Sequence, residues 1–456
     1  MELPDRALLK RRVLNASLWT FVGFGIGTTI RFGSNLLMTR LLFPEMFGVM
    51  AIANVVMIGL GVLSDIGLQQ NVVYSQRGHD PAFLNTIWVA QIMRGGVLSL
   101  IGLAIALLVV LFDWTGLVPK DSTYANPSLP YVIAIISSVA LLQGLQSTKV
   151  LEANRKLLLG RLTAIELVGQ SFSLICMLTW AYIDRSIWAL VAGYISSRIV
   201  SVALSYIWLP GVSNRWQWDQ AAFREIITFG RWIFISSIIG FVVNNGDRLL
   251  LGGLISSSVL GVYMIAYTIY ATIEQVLVRI ITDVSFPALS EIVKERPGDL
   301  KSRYYRVRIV LGSIAYGCSG ALIMSGHTLI SLLYDSRYEQ AGWMLQCLAV
   351  ALLTTPSHIA TQCFVALGEV RLLSSLGLVR LVILLLFVPA GFHFFGLVGA
   401  IWGIVLSQFS WVPMAFYYKI KYRIFDLQKE LLLLPVVLAG LAVGKLFNEV
   451  VWMLKG

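Results

Sequence analysis

Apolar stretches longer than about 18 residues recur from one end of this chain to the other, each long enough to cross a bilayer as a helix. No lipid can bond the backbone of such a segment, so each must satisfy its own N–H and C=O groups by coiling. The composition agrees. Of 456 residues, 57% are hydrophobic and only 13% charged, where a soluble domain carries about 45–50% and roughly 25%. A soluble core cannot hide that much apolar surface behind so few charges. The chain reads as an all-α polytopic membrane protein, which excludes a soluble enzyme, a secreted disulfide scaffold and a DNA-binding factor.

Hydropathy and breaks place spans at 14–38, 47–74, 83–111, 128–148, 157–182 and 187–209. A second set follows at 226–252, 259–284, 308–333, 343–367, 372–392 and 396–418, and 431–451 is a thirteenth candidate carrying Pro435, Lys445 and Glu449. The organisation expected is a first six-helix lobe over 1–209, a polar linker over 210–225 and a second six-helix lobe over 226–420. One additional membrane segment lies within 421–456.

Lysine and arginine accumulate in loops on the cytoplasmic side. With the N-terminus inside, the inner loops hold 22 of them, among them Arg77, Lys149, Arg155, Arg308 and Lys419, and the outer connections hold five. The N-terminus is therefore expected in the cytoplasm. The net charge of +11 reflects topology and anionic lipid, with no nucleic-acid partner implied. Cys176, Cys318, Cys347 and Cys363 lie inside apolar segments at no metal-ligand spacing and read as small core residues. No P-loop, HExxH or CxxC pattern occurs, so no cofactor is implied. The loops are too short to form a separate folded domain. The chemistry must lie within the helix bundle.

The halves carry a faint echo. Arg40-Leu41-Leu42 and Gly48-Val49-Met50-Ala51-Ile52-Ala53 are answered by Arg248-Leu249-Leu250 and Gly261-Val262-Tyr263-Met264-Ile265-Ala266. Six is even, so this is a parallel repeat about an axis along the membrane normal, an arrangement that puts a substrate site where two halves rock.

The run from Asn35 to Gly48, Asn35-Leu36-Leu37-Met38-Thr39-Arg40-Leu41-Leu42-Phe43-Pro44-Glu45-Met46-Phe47-Gly48, resembles the first-hairpin signature of polysaccharide transporters. So do Asn245-Gly246-Asp247-Arg248-Leu249-Leu250-Leu251-Gly252, Leu260-Gly261-Val262-Tyr263, Phe286-Pro287-Ala288-Leu289-Ser290 and Ala366-Leu367-Gly368-Glu369. On these motifs the chain is similar, over nearly its whole length, to the oligosaccharide flippases of the polysaccharide transporter family. That family lies in the multidrug/oligosaccharidyl-lipid/polysaccharide (MOP) superfamily. The resemblance implies two six-helix lobes in a V. It also implies a polyprenyl-pyrophosphate-linked oligosaccharide as substrate, carried to the outer leaflet of the bacterial inner membrane. Glycosyltransferases and a polysaccharide polymerase are the protein partners it suggests. Many relatives carry two further C-terminal spans, and this chain has room for one.

Polar residues inside the spans are the candidate site. Arg31 and Asn35 lie on a small-polar stripe of the first span, Asp65 and Gln69 on the second, and Gln91 and Arg94 on the third. The sixth carries Tyr194, Ser197, Arg198, Ser201 and Ser205, and the seventh Asn244 and Asp247. Ser and Gly at these spacings are equally the surface by which membrane helices pack. Arg231 and Arg279 lie near span ends, where an arginine reaches the headgroups, and Arg279 has Asp283 one turn on. Arg31, Arg94 and Arg198 are deeper, and three buried cations cost roughly 8–10 kcal/mol on insertion scales. An anion offsets that cost, and the pyrophosphate implied by the resemblance matches guanidinium well. Asp65, Glu166, Asp247 and Glu274 are the candidate ion-coupling carboxylates. The four histidines form no cluster and receive no role.

The rivals are an ion-coupled exporter of small molecules or drugs on the same superfamily fold and a membrane polymerase or ligase. The arginines count against an exporter of cations, and short outer loops count against the enzyme. A channel has no filter or charged ring to support it.

Overall fold

The computed structural model describes residues 6–63, 72, 75, 77–369 and 371–455. Among these residues the chain is helices joined by short turns, and it divides into two compact units, Met1–Ile238 and Ile239–Gly456.

In the first unit, α1 (Arg6–Leu41) and α2 (Pro44–Leu63) part at Phe43-Pro44. Proline has no N–H to continue a helix and disfavours the α conformation in the residue before it. The next helix, α3 (Pro81–Trp114), starts behind Asp80, whose carboxylate accepts from the Ala82 N–H at 3.0 Å, with Pro81 in the first turn. It is followed by α4 (Ser128–Gly144), α5 (Lys149–Arg155), α6 (Leu159–Ile183) and α7 (Trp188–Ile207). Small residues let these helices touch. A Cβ on Gly95 would lie 2.5 Å from the Ala140 carbonyl oxygen, and one on Gly144 would lie 2.6 Å from that of Gln91. Backbones that close tolerate no side chain between them.

The span expected over 128–148 stops at Gly144, and the chain turns by 66° into α5. The reason is visible at Ser147, whose N–H donates sideways to Ser205 Oγ at 3.1 Å.

Residues 211–219, expected as linker, are bonded to the first unit. The Val212 N–H donates to Glu152 Oε1 at 3.0 Å, and Asn214 Nδ2 to Thr148 Oγ1 at 2.6 Å. The Arg215 N–H donates to Asn85 Oδ1 at 2.9 Å, and that of Asp219 to Thr86 Oγ1 at 2.9 Å. Arg77 Nη2 bridges Asp80 at 2.8 Å and Asp219 at 2.6 Å. Its hydrogen bonds hold both carboxyls below the usual carboxylate range. The chain then enters α8 (Gln220–Leu254), which carries it into the second unit.

The second unit continues with α9 (Ser257–Glu295), α10 (Leu300–Leu333), α11 (Ala341–Ala351) and α12 (His358–Ala366). A 3₁₀ turn, Leu352–Ser357, interrupts the span expected over 343–367, with Pro356 inside it. The spans expected over 372–392 and 396–418 lie in α13 (Arg371–Phe409) and α14 (Val412–Lys421). They reverse at Gly396, which sits at φ 60° and ψ −148°, a backbone open essentially to glycine alone. After α15 (Leu427–Leu431), α16 (Leu434–Lys455) covers most of the stretch expected over 431–451 and runs along α10. There, Asn448 Nδ2 donates to the Met324 carbonyl at 3.0 Å.

Eight described stretches are long and apolar enough to cross a membrane, nine if the bent α4–α5 pair is one span. They include Arg371–Lys421, 51 residues that contain the Gly396 reversal. Helices α1, α8 and α9 are not among them, although they are 36, 35 and 39 residues long.

One expectation is corrected here. Arg308 and Lys419, counted among the loop cations, are buried at 2% and 1% exposure. Both bind Glu430, itself 8% exposed: Arg308 through Nη2, and Lys419 through Nζ at 2.5 Å. Tyr305 donates its hydroxyl to the same carboxylate at 2.9 Å. Charges that would be costly alone are tolerable together. The four cysteines are free thiols, and Cys363 is fully buried.

Candidate functional site: a charged cavity and an arginine pocket

The second unit contains a cavity of about 440 Å³. Asn244 and Asp247, one turn apart, bring α8 to its wall. Tyr267, Tyr270 and Glu274 follow at three- and four-residue steps on α9, so they share one face. Arg380 and Gln408 enter from the two limbs of α13, and His358 from the start of α12. Leu348, Ala351, Leu384 and Ile404 close the apolar side.

Charge in this cavity is close to balance. Asp247 is 6% exposed, and its Oδ2 accepts from the Tyr263 hydroxyl at 2.6 Å. Its neighbour Arg248 lies 4.1 Å over the Tyr267 ring and donates to Asn245 Oδ1 at 3.0 Å. Glu274 has Arg380 and Tyr270 as electrostatic neighbours. Arg279 and Asp283 form the expected local pair, at 3.7 Å. Carboxylates at such a depth, each beside a cation or a hydroxyl, can exchange a proton or a small cation without stranding a bare charge.

The first unit holds a smaller pocket of about 200 Å³ between α2, α3 and α4. Arg94 lines it with Gln91, Gln143 and Gln146. Arg94 Nη2 donates to the Gly61 carbonyl at 2.9 Å. Gln91 Oε1 is buried without a hydrogen-bond partner. One guanidinium and three carboxamides suit an anion or a hydroxyl-rich ligand.

The remaining sequence candidates lie elsewhere. Arg31 is exposed on α1, its Nη2 donating to Thr28 Oγ1 at 3.3 Å, and Asn35 is half-buried one turn on. Arg198 is exposed on α7, 5.5 Å over the Tyr194 ring. Neither Arg31 nor Arg198 is among the residues lining the Arg94 pocket. Ser201 packs on α6, since a Cβ on Gly169 would lie 2.9 Å from its hydroxyl. Glu166 accepts from Gln170 Nε2 at 3.0 Å. Asp65, Gln69 and the Arg231 side chain fall outside the described residues. Sequence reasoning missed Arg380, Gln408, Gln143 and Gln146, and it gave His358 no role. Arg380 was discoverable, being a lone cation in the middle of an apolar span. Gln143 and Gln146 sit at a span's exit, where polar residues are ordinary, whereas Gln408 lies within a span and carried the same signal as Arg380.

Residues 37–342 match a family model described as polysaccharide biosynthesis protein. Lipopolysaccharide biosynthesis protein WzxC of Escherichia coli is 22% identical over 96% of this chain and 88% of its own length. Capsular polysaccharide biosynthesis protein CapF of Staphylococcus aureus is 27% identical over 55% of this chain and 58% of its own. Among solved structures, the lipid II flippase MurJ in an inward closed conformation superposes with a TM-score of 0.67 at 14% identity, covering 96% of this chain and 99% of that one. A MATE family multidrug resistance transporter of the MOP superfamily, inward-facing, gives 0.64 at 14% identity over 87% and 94%. The fold is that of the MOP transporters, and with well over half its length inside the family model the chain belongs to the polysaccharide biosynthesis protein family.

Proposed function

We propose that this protein is a flippase that moves polyprenyl-pyrophosphate-linked oligosaccharide units across the bacterial inner membrane for exopolysaccharide, capsule or O-antigen synthesis. The observation that carries the reading is the similarity to WzxC along 96% of the chain. The protein is a transporter rather than an enzyme, has its N-terminus in the cytoplasm and works by alternating access of two six-helix lobes. Its partners are the glycosyltransferases that build the unit and the polymerase that consumes it. Arg31, Arg94 and Arg198 bind the pyrophosphate as it crosses, while the polyprenyl tail stays in lipid. The Arg94 pocket supports this, because its lining brings a guanidinium and three carboxamides together. Asp247 and Glu274 couple transport to an ion gradient, with Arg380 holding the balance of charge.

The test is flipping of a lipid-linked oligosaccharide in proteoliposomes, with insertion checked for each variant. A charge-assisted bond contributes about 1.5–3 kcal/mol, so Arg94→Gln or Arg198→Gln should weaken binding about ten- to a hundredfold. Arg198→Lys keeps the charge, loses the planar fork and should retain part of the activity. Normal transport by correctly inserted glutamine variants would make these arginines structural. Export of a cationic drug in place of the lipid-linked sugar would favour the MATE-like alternative.

A further inference from the structure

We propose that a polar cup on the second unit, lined by none of the residues assigned above, is a subsite for one pyranose ring of the carried glycan. The cup measures about 440 Å³ and is built where α10 ends and α9 and α11 begin. Val259 and Val262 of α9 and Trp343 of α11 supply its apolar surface. His327, Arg337, Glu339 and Gln340 supply polar groups, all planar. On the orientation proposed above, this end of the helices faces away from the cytoplasm. The inference rests on the flippase reading for its ligand.

The rim is held in place before any ligand arrives. The Arg337 guanidinium donates to both oxygens of Asp335, through Nε at 3.0 Å and Nη2 at 2.5 Å, and its backbone N–H donates to Asp335 Oδ1 at 3.0 Å. Tyr338 is fully buried next to it, 5.8 Å from the Tyr334 ring. His327 Nε2 lies 3.7 Å from Glu339 Oε1, joining α10 to the turn before α11. A Cβ on Gly342 would lie 2.8 Å from His327 Cα, so the two backbones approach too closely there to admit a side chain. Yet the working ends stay open, for the side chains of His327 and Glu339 are 53% and 65% exposed.

The chemistry selects a sugar over a phosphate. Arg337 is neutralised by Asp335, and Glu339 faces the same space, so the cup offers no uncompensated positive charge to an anion. A pyranose presents an apolar C–H face and an equatorial ring of hydroxyls. Trp343 and the two valines match the first, while the carboxylate, carboxamide and imidazole match the second with fixed donor and acceptor directions. A rigid cup loses little entropy when a sugar enters, which favours binding by few contacts. Held there, the emerging head group would be kept from slipping back before the tail reorients.

Saturation-transfer-difference NMR on the full chain in detergent tests the site, with glucose, galactose, N-acetylglucosamine and glucuronic acid as separate probes. At least one should give a signal, with affinity falling about fivefold in Gln340→Ala and in Glu339→Gln, the loss of one hydrogen bond each. Trp343→Ala should abolish the signal, and inorganic pyrophosphate should not compete. No signal from any probe, signals unchanged in the Gln340 and Glu339 variants, or displacement by pyrophosphate would each overturn the proposal. Proteoliposome flipping by the unmodified protein separates the two readings. Flipping without sugar binding removes the cup alone, whereas sugar binding without flipping removes the flippase reading.

Discussion

Glu430→Gln is the sharpest test of how the second unit is held together. The carboxylate receives Arg308, Lys419 and Tyr305, and the three partners come from α10 and α14. Glutamine keeps the shape and removes the only negative charge of the triad, so two buried cations face each other. Taking one partner from a buried ion pair costs about 3–5 kcal/mol, because the charge left behind can neither be hydrated nor paired. For a folding unit of 150–250 residues, about 2–4 °C is lost per kcal/mol, so the apparent melting temperature in detergent should fall by roughly 6–20 °C. Tyr305→Phe removes a hydroxyl that donates to Glu430 and accepts from the Asp426 N–H at 2.8 Å, and the loss should be smaller, about 1–3 kcal/mol. Replacing all three charges together by methionine should restore most of the loss, since an apolar core of similar volume is often as stable as a buried pair. If Glu430→Gln melts with the unmodified protein, or the triple variant is worse than the single one, the electrostatic argument fails.

The glycine contact between α10 and α16 should be equally exacting: a Cβ on Gly440 would lie 2.4 Å from the Gly317 carbonyl oxygen. Gly440→Val should therefore cost about 1–3 kcal/mol by overpacking and expose the C-terminal segment to protease. Loss of the Tyr263 hydroxyl leaves Asp247 one donor short, so Tyr263→Phe should lower stability by about 1.5–3 kcal/mol, read as a lower melting temperature. Asp80 and Asp219 titrate below the ordinary carboxylate range because Arg77 bonds both. Their contribution is present above the unfolded value of about 4 and is lost as pH falls through the lower folded values. Hydrogen exchange over residues 211–222, corrected for its intrinsic pH dependence, should rise below that range in the unmodified protein. In Arg77→Gln it should already be raised at neutral pH.

Most of the helix inventory was legible in the sequence because the membrane imposes one rule on every segment. Helix ends were not, since hydropathy reports where the apolar part lies and not where coiling stops. Thus α10 begins at Leu300, eight residues before the span expected at 308, and Arg308 lies inside the packed helix. The triad was illegible for a related reason. Glu430 meets Arg308 across 122 positions of sequence, and no local pattern connects them. In the second-unit cavity, Asn244, Asp247 and Glu274 were legible because a polar residue in an apolar span must answer to something. Arg380 carried the same signal and was passed over. In the first unit, Gly169 and Ser201 show that a clean polar stripe can be spent on helix packing.

The internal echo shows how one motif takes on different chemistry in the two halves. In the second copy Arg248 follows Asp247, and both are tied into the polar cluster: Asp247 to Tyr263, Arg248 to Asn245 and the Tyr267 ring. In the first copy the residue before Arg40 is Thr39, whose hydroxyl turns back to the Leu36 carbonyl at 3.0 Å. A threonine there needs no buried counter-charge, and the aromatic at Tyr263 is answered by Met50 in the aligned motif. The acidic position of the motif therefore belongs to the second copy, where Asp247 lines the cavity with Glu274 and Arg380. The ion coupling proposed above needs a carboxylate that can be neutralised, and at this position of the motif only the second copy carries one.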